Sequence, residues 1–171
     1  GGLAAALWLR LMPGAYRFAA PLAFVAAVAV VASYRYFPSV IEPFGLASIT
    51  QPEAIVRVSL PLMFPVSFIS GMFFPVVGAA LRTGLTTEVA TAGTLTLANT
   101  IGAAVGSLVA GFVLLPLLGI ERSFFAIGLL YAAVGMVVGR LWRAPLIVYG
   151  AAAAAVIALA VFPFGQFNAR L

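Results

Sequence analysis

From Val89 to Ile120 the chain runs for 32 residues without a single charge. About 20 apolar residues, rising about 1.5 Å each, suffice to cross the roughly 30 Å hydrocarbon core of a bilayer. A helix over this stretch has length to spare, so it must tilt or project. The rest of the chain allows no water-facing alternative. Of its 171 residues, 64% are hydrophobic and 8% charged, with a mean hydropathy of +1.20. Soluble domains carry about 25% charged residues. The apolar runs are continuous rather than alternating, which argues against a barrel. Helices then remain as the elements that pair every backbone group in lipid. The fold class that follows is an all-α, polytopic transmembrane bundle in one domain spanning residues 1–171.

Five crossings are expected, at about 19–37, 53–81, 88–115, 122–140 and 144–162. The segment Leu3 to Met12 before them is too short to cross. Phe37 to Ala54 reads as a loop because it holds three prolines, one glycine and two glutamates. Thr50 and Glu53 have the spacing of a capping box at the entry to the second crossing, with Pro52 near its first position. That crossing contains Pro61, Pro65 and Pro75. Each interior proline removes a hydrogen bond and crowds the carbonyl four residues back. The helix is therefore expected to be kinked or broken, with Ser67 and Ser70 available to the freed carbonyls. Pro61, Pro65, Gly71 and Pro75 read as a structural kink or as a gating hinge. Gly71 and Gly78, one heptad apart, offer room for a neighbouring helix. Pro116 disfavours helix just before it and should close the third crossing. The fourth carries Gly128, Gly135 and Gly139.

Polar and small residues within the uncharged stretch need partners. On a helical grid Ala92, Thr96, Asn99, Ala103, Gly106 and Ala110 fall on one stripe with Gly102 beside it. Gly102 and Gly106 form a G-x-x-x-G pair. In lipid, helices join by close approach at small residues and by interhelical hydrogen bonds. The stripe is thus expected to be a packing seam with Asn99 bonding across it. The alternative places Asn99, Thr100 and Ser107 on a substrate path, although the strong intramembrane signals come from ionisable groups.

Charge and chemistry exclude much else. The net charge is +5, all nine cations are Arg, and all four anions are Glu. The arginines stand singly at the ends of apolar runs, as interfacial anchors do. They form no basic stripe, so no nucleic-acid partner is expected. Arg10, Arg17, Arg82, Arg140 and Arg143 fall on the side preceding the first crossing, and Arg35, Arg57, Arg122 and Arg170 on the other, which fixes no orientation. With no His, Cys, Lys or Asp, no catalytic residue, metal site or cofactor is expected in this chain. Glu42, Glu53, Glu88 and Glu121 all fall at expected membrane edges, as caps and Arg partners.

The block GTLTLANTIGAAVGSLVAGFVLLPLLGIERSF resembles the membrane region of fused MFS/spermidine synthase proteins, in which a transporter-like helical region precedes an aminopropyltransferase-like domain. The matching positions are Gly93, Ala98, Asn99, Thr100, Gly102, Gly106, Ser107, Gly111, Phe112, Leu114, Pro116 and Gly119. Upstream, LPLMFPVSFISGMFFPVV is similar to the family's proline-rich helix at Gly71, Phe74 and Pro75. The likeness covers about Pro61 to Arg143. The family commonly has Tyr where this chain has Thr96. The resemblance implies an integral membrane domain, of bacterial plasma-membrane type, that resembles half of an MFS-type region. It would anchor a C-terminal synthase-like domain and handle that domain's small amine substrate. The synthase site of such proteins uses acidic residues, usually Asp, and a chain without Asp does not hold it. The opening GGLAAALWLR and the ending VFPFGQFNARL are expected for a piece of a longer chain. Its partners would be the lipid bilayer, the C-terminal domain and other helices of the same protein. Oligomeric state is left open. The rival readings are half of a secondary transporter, flexing at Pro61, Pro65 and Gly71, and a purely structural assembly module.

Overall fold

A computed structural model describes residues 1–42, 51–82, 87–141 and 145–166, with the side chains of Glu88 and Leu141 set aside. Among these residues the chain is helical almost throughout. The helices are α1 (Gly2–Leu11), α2 (Ala19–Ile41), α3 (Pro52–Leu81), α4 (Glu88–Val109), α5 (Leu115–Leu141) and α6 (Ile147–Ala160). A 3-10 segment, Pro13–Phe18, leads into α2, and a π-helical turn, Ala110–Leu114, joins α4 to α5. Three stretches are long and apolar enough to cross a membrane: Pro13–Ile41, Pro52–Leu81 and Val89–Arg140. The last is interrupted at Gly119, whose φ of 71° and ψ of 176° are not helical. At 14 residues, α6 spans only about 21 Å.

α2 is the hub. Its face of small residues, Ala19, Ala20, Ala23, Ala26 and Ala27, is fully buried. α5 lies antiparallel to it. Gly139 meets Ala20, Gly135 meets Phe24, and Gly128 meets Ala27 and Val31. A Cβ at Gly135 would stand 2.9 Å from the Phe24 ring, so only glycine admits that ring. α6 runs parallel to α2 on the same side, with Ala155 buried against Phe24, Ala27 and Ala132. Here the helices join through small residues, which let their backbones approach closely. α3 lies antiparallel to α2 on another side, with Val76 against Ala19 and Ser33 Oγ donating to the Leu62 carbonyl at 2.9 Å. α1 packs along α3 in the same direction, placing Ala5 against Val76 and Gly1 against Gly71.

Several expectations need correction. α2 extends through Pro38 to Ile41 rather than ending at 37. A proline so close to a helix end disturbs only the last turns. α3 is one unbroken helix across Pro61, Pro65 and Pro75. Ser70 does not serve a freed carbonyl, since its hydroxyl pairs with that of Tyr131 on α5 at 2.6 Å. The third crossing does not stop before Pro116. The helix continues past it and is interrupted at Gly119, because the π turn just upstream accommodates the proline. In that turn the Leu115 N–H donates to the Ala110 carbonyl. The wider register opens the space where the proline ring would meet the carbonyl four residues back. Beyond Gly119, the Ser123 hydroxyl returns to the Gly119 carbonyl and secures the new start. Thr50 lies outside the described residues. The N-cap of α3 is Gln51, without a side-chain cap bond. The capping observed is at α4, where Thr87 Oγ1 accepts from the Ala90 N–H at 3.2 Å.

Candidate functional site

α1 and α3 run side by side and finish at the same level, and α4 begins there. The three helices leave a cavity of about 640 Å³ between them. α1 contributes Leu9 and Arg10, α3 contributes Phe74, Pro75, Gly78 and Arg82, and α4 contributes Thr91, Ala92, Leu95 and Thr96. Two arginines from two helices line a space whose remaining walls are mainly apolar. No carboxylate among the described side chains lines it. α4 is held here mainly by Leu95, whose Cδ2 lies 3.1 Å from where a Cβ on Gly78 would stand. Thr91 is buried and turns its hydroxyl back to the Thr87 carbonyl at 3.1 Å. The cavity opens outward, for Arg10, Arg82, Ala92 and Thr96 are all exposed.

The small-residue stripe of α4 divides at this point. Ala92 and Thr96 belong to the cavity. Asn99, Gly102, Ala103 and Gly106 are exposed, and Ala110 is half-buried. A Cβ on Gly102 or Gly106 would meet nothing within 4 Å. Among the described residues, the Gly102 and Gly106 part of the expected seam therefore meets no other helix. The close packing occurs instead between the alanines of α2 and Gly128, Gly135 and Gly139 of α5. A stripe of small residues states that a face permits close approach, and does not state which neighbour arrives. The substrate-path expectation gains no convergence either. Thr100 Oγ1 donates to the Thr96 carbonyl at 2.9 Å and Ser107 Oγ to the Ala104 carbonyl at 3.0 Å. Both hydroxyls are thus satisfied by their own helix. Of the expected hinge, Pro75 reaches the cavity. Gly71 is where the start of α1 crosses α3, its own Cβ position 3.4 Å from the Gly1 Cα.

A second polar cluster went unread in the sequence. Glu121, just past the Gly119 interruption, accepts from the Tyr34 hydroxyl at 2.9 Å and from the Gly165 N–H. One carboxylate thus clamps the ends of α2 and α6 to the start of the second half of α5. Tyr34 is 1% exposed and stacks on Phe162, with centroids 4.8 Å apart. Phe124, Phe125 and Phe164 surround that stack. Gly165 has a φ of 83°, a conformation suited to glycine. It aims its N–H at Glu121. Gln166 then donates to the Arg35 carbonyl at 3.1 Å. From the sequence Glu121 reads as an edge cap and arginine partner; in the structure its partners are Tyr34 and Gly165. No spacing rule links positions 34, 121 and 165. Glu53 does pair with arginine, meeting Arg57 at 2.7 Å in the open.

Among the described residues no group of three or more His, Cys, Asp or Glu could hold a metal ion. No protein-family model matches this chain, and no curated protein or solved structure matches it either.

Proposed function

We propose that the chain is a bilayer-embedded helical domain whose role is to anchor and assemble. The partner implied by the resemblance is a C-terminal aminopropyltransferase-like domain, with the assembly in a bacterial-type plasma membrane. The observation that carries this reading is α4 and the turn after it. Leu97, Ile101, Val105, Leu108 and Phe112 are all exposed, at 53–77%. Such a helix is stable only if lipid or further protein covers it. Five crossings follow if Val89–Arg140 counts as two passes divided at Gly119 and α6 as a short fifth.

The same geometry favours anchoring over handling of a cationic amine. The cavity between α1, α3 and α4 presents Arg10 and Arg82, and these repel an ammonium group. Glu121 is already engaged by Tyr34 and Gly165. The tight α2–α5–α6 packing likewise favours a rigid support over an alternating-access pair.

The test uses the full-length protein in isolated membranes and in proteoliposomes. Aminopropyltransferase activity should remain with the membrane pellet through alkaline carbonate extraction, and labelled polyamine should not accumulate in the vesicles. Uptake that disappears in Asn99→Leu while helix content holds would overturn the anchor reading in favour of transport.

A further inference from the structure

The cavity between α1, α3 and α4 pairs features that suit one class of ligand. Its charge comes from Arg10, in the last turn of α1, and Arg82, the C-cap of α3. Two parallel helices thus each bring one arginine to the lining of the cavity. Its apolar wall comes from Leu9, Phe74, Pro75 and Leu95. At about 640 Å³ it falls within the range of small-molecule sites. Guanidinium groups suit phosphate oxygens, which they bind with two parallel hydrogen bonds. The apolar wall gives a free phosphate ion nothing, but it can cover an acyl chain.

We propose that this cavity binds one anionic phospholipid, its phosphate between Arg10 and Arg82 and an acyl chain along the Leu9, Phe74 and Leu95 wall. The inference rests on the bilayer-embedded reading above. It goes further by assigning a particular lipid class to a particular site, where scattered arginines would give only diffuse attraction. A zwitterionic lipid brings an ammonium group back towards the same arginines, so it binds less well. Occupancy would also fill the gap between α3 and α4 and hold α4 against the bundle.

Trp8 lies two residues from Arg10 and packs on Phe18 with centroids 5.3 Å apart. It can report on this site once Trp142, the other of the two tryptophans, is replaced by Phe. The chain is reconstituted in phosphatidylcholine vesicles, and Trp8 emission is followed as brominated phosphatidylglycerol or brominated phosphatidylcholine is added. Quenching by the anionic lipid should show a preference on the order of tenfold. The preference should fall to near unity in Arg10→Gln/Arg82→Gln and persist in Arg57→Gln, with circular dichroism confirming helix content. Arg10→Lys/Arg82→Lys should keep most of it. Loss in the lysine pair as well would trace the effect to packing and overturn the proposal, as would equal quenching by both lipids in the unsubstituted protein. Removal of the preference by millimolar inorganic phosphate at constant ionic strength would assign the site to a soluble anion. Absence of quenching by either lipid would refute the embedded reading along with the lipid site, whereas quenching without preference refutes the site alone.

Discussion

Replacing Gly135 and Gly102 by alanine separates packing from helix propensity. Both glycines lie inside helices, and alanine favours helix by about 1 kcal/mol at either position. Their surroundings differ. A Cβ at position 135 would lie 2.9, 2.9 and 3.0 Å from three carbons of the Phe24 ring, whereas ordinary contact begins at 3.4 Å. The ring would have to retreat by about half an ångström or more. It is 4% exposed and backed by Ala27, Ala132 and Ala155, so it has little room to do so. Overpacking of that kind costs about 1–3 kcal/mol. At position 102 a Cβ meets nothing within 4 Å. Because the propensity term cancels, Gly135→Ala should be less stable than Gly102→Ala by about 1–3 kcal/mol. Unfolding of the detergent-solubilised chain by SDS, followed by circular dichroism, measures the difference. Phe24→Leu should be less harmful in the Gly135→Ala background than alone, because it returns the space. Equal stability of the two alanine variants, with no coupling to position 24, would refute the claim that glycine at 135 is required by the ring.

The remaining predictions use the same unfolding assay unless stated. Glu121→Ala removes the carboxylate that accepts from the buried Tyr34 hydroxyl and should cost about 1–3 kcal/mol, and adding Tyr34→Phe should recover part of that loss. Ser70→Ala and Tyr131→Phe should couple in a double-mutant cycle, with an interaction energy of about 0.6–1.7 kcal/mol. Pro116→Ala removes the reason for the π turn, so amide exchange over Ala110–Leu114 should slow as the segment closes to an α-helix.

What could be read in the sequence was set by strong local signals. The uncharged run after Glu88 and the proline-marked start of α3 depend on composition and on one or two residues. All-helical architecture followed directly. Of the two outcomes expected from the prolines of α3, kinked or broken, the break does not occur; a propensity argument that treats each proline in isolation does not choose between them. Pro116 misled for a related reason: the π turn that accommodates it is a property of several residues acting together. The small-residue faces differ in another way. Gly102 and Gly106 give a sharper pattern than Gly128, Gly135 and Gly139, yet the latter face the alanines of α2. Pattern strength on one helix carries no information about its neighbour. The Glu121 clamp depends on three positions far apart in the chain, so only the folded arrangement brings them into view. Pro75, Ala92 and Thr96 of the candidate cavity are legible in the sequence, whereas its two arginines stand far apart in the chain and read only as separate anchors.

Gly119 separates α4 from the rest of α5 without an intervening loop. The backbone at that one residue, together with the Leu95 contact to Gly78 of α3, sets where the preceding rod points. Its φ disfavours any side chain, so the interruption is written in a single codon. A change there would disturb the join between α4 and the Glu121 clamp two residues further on.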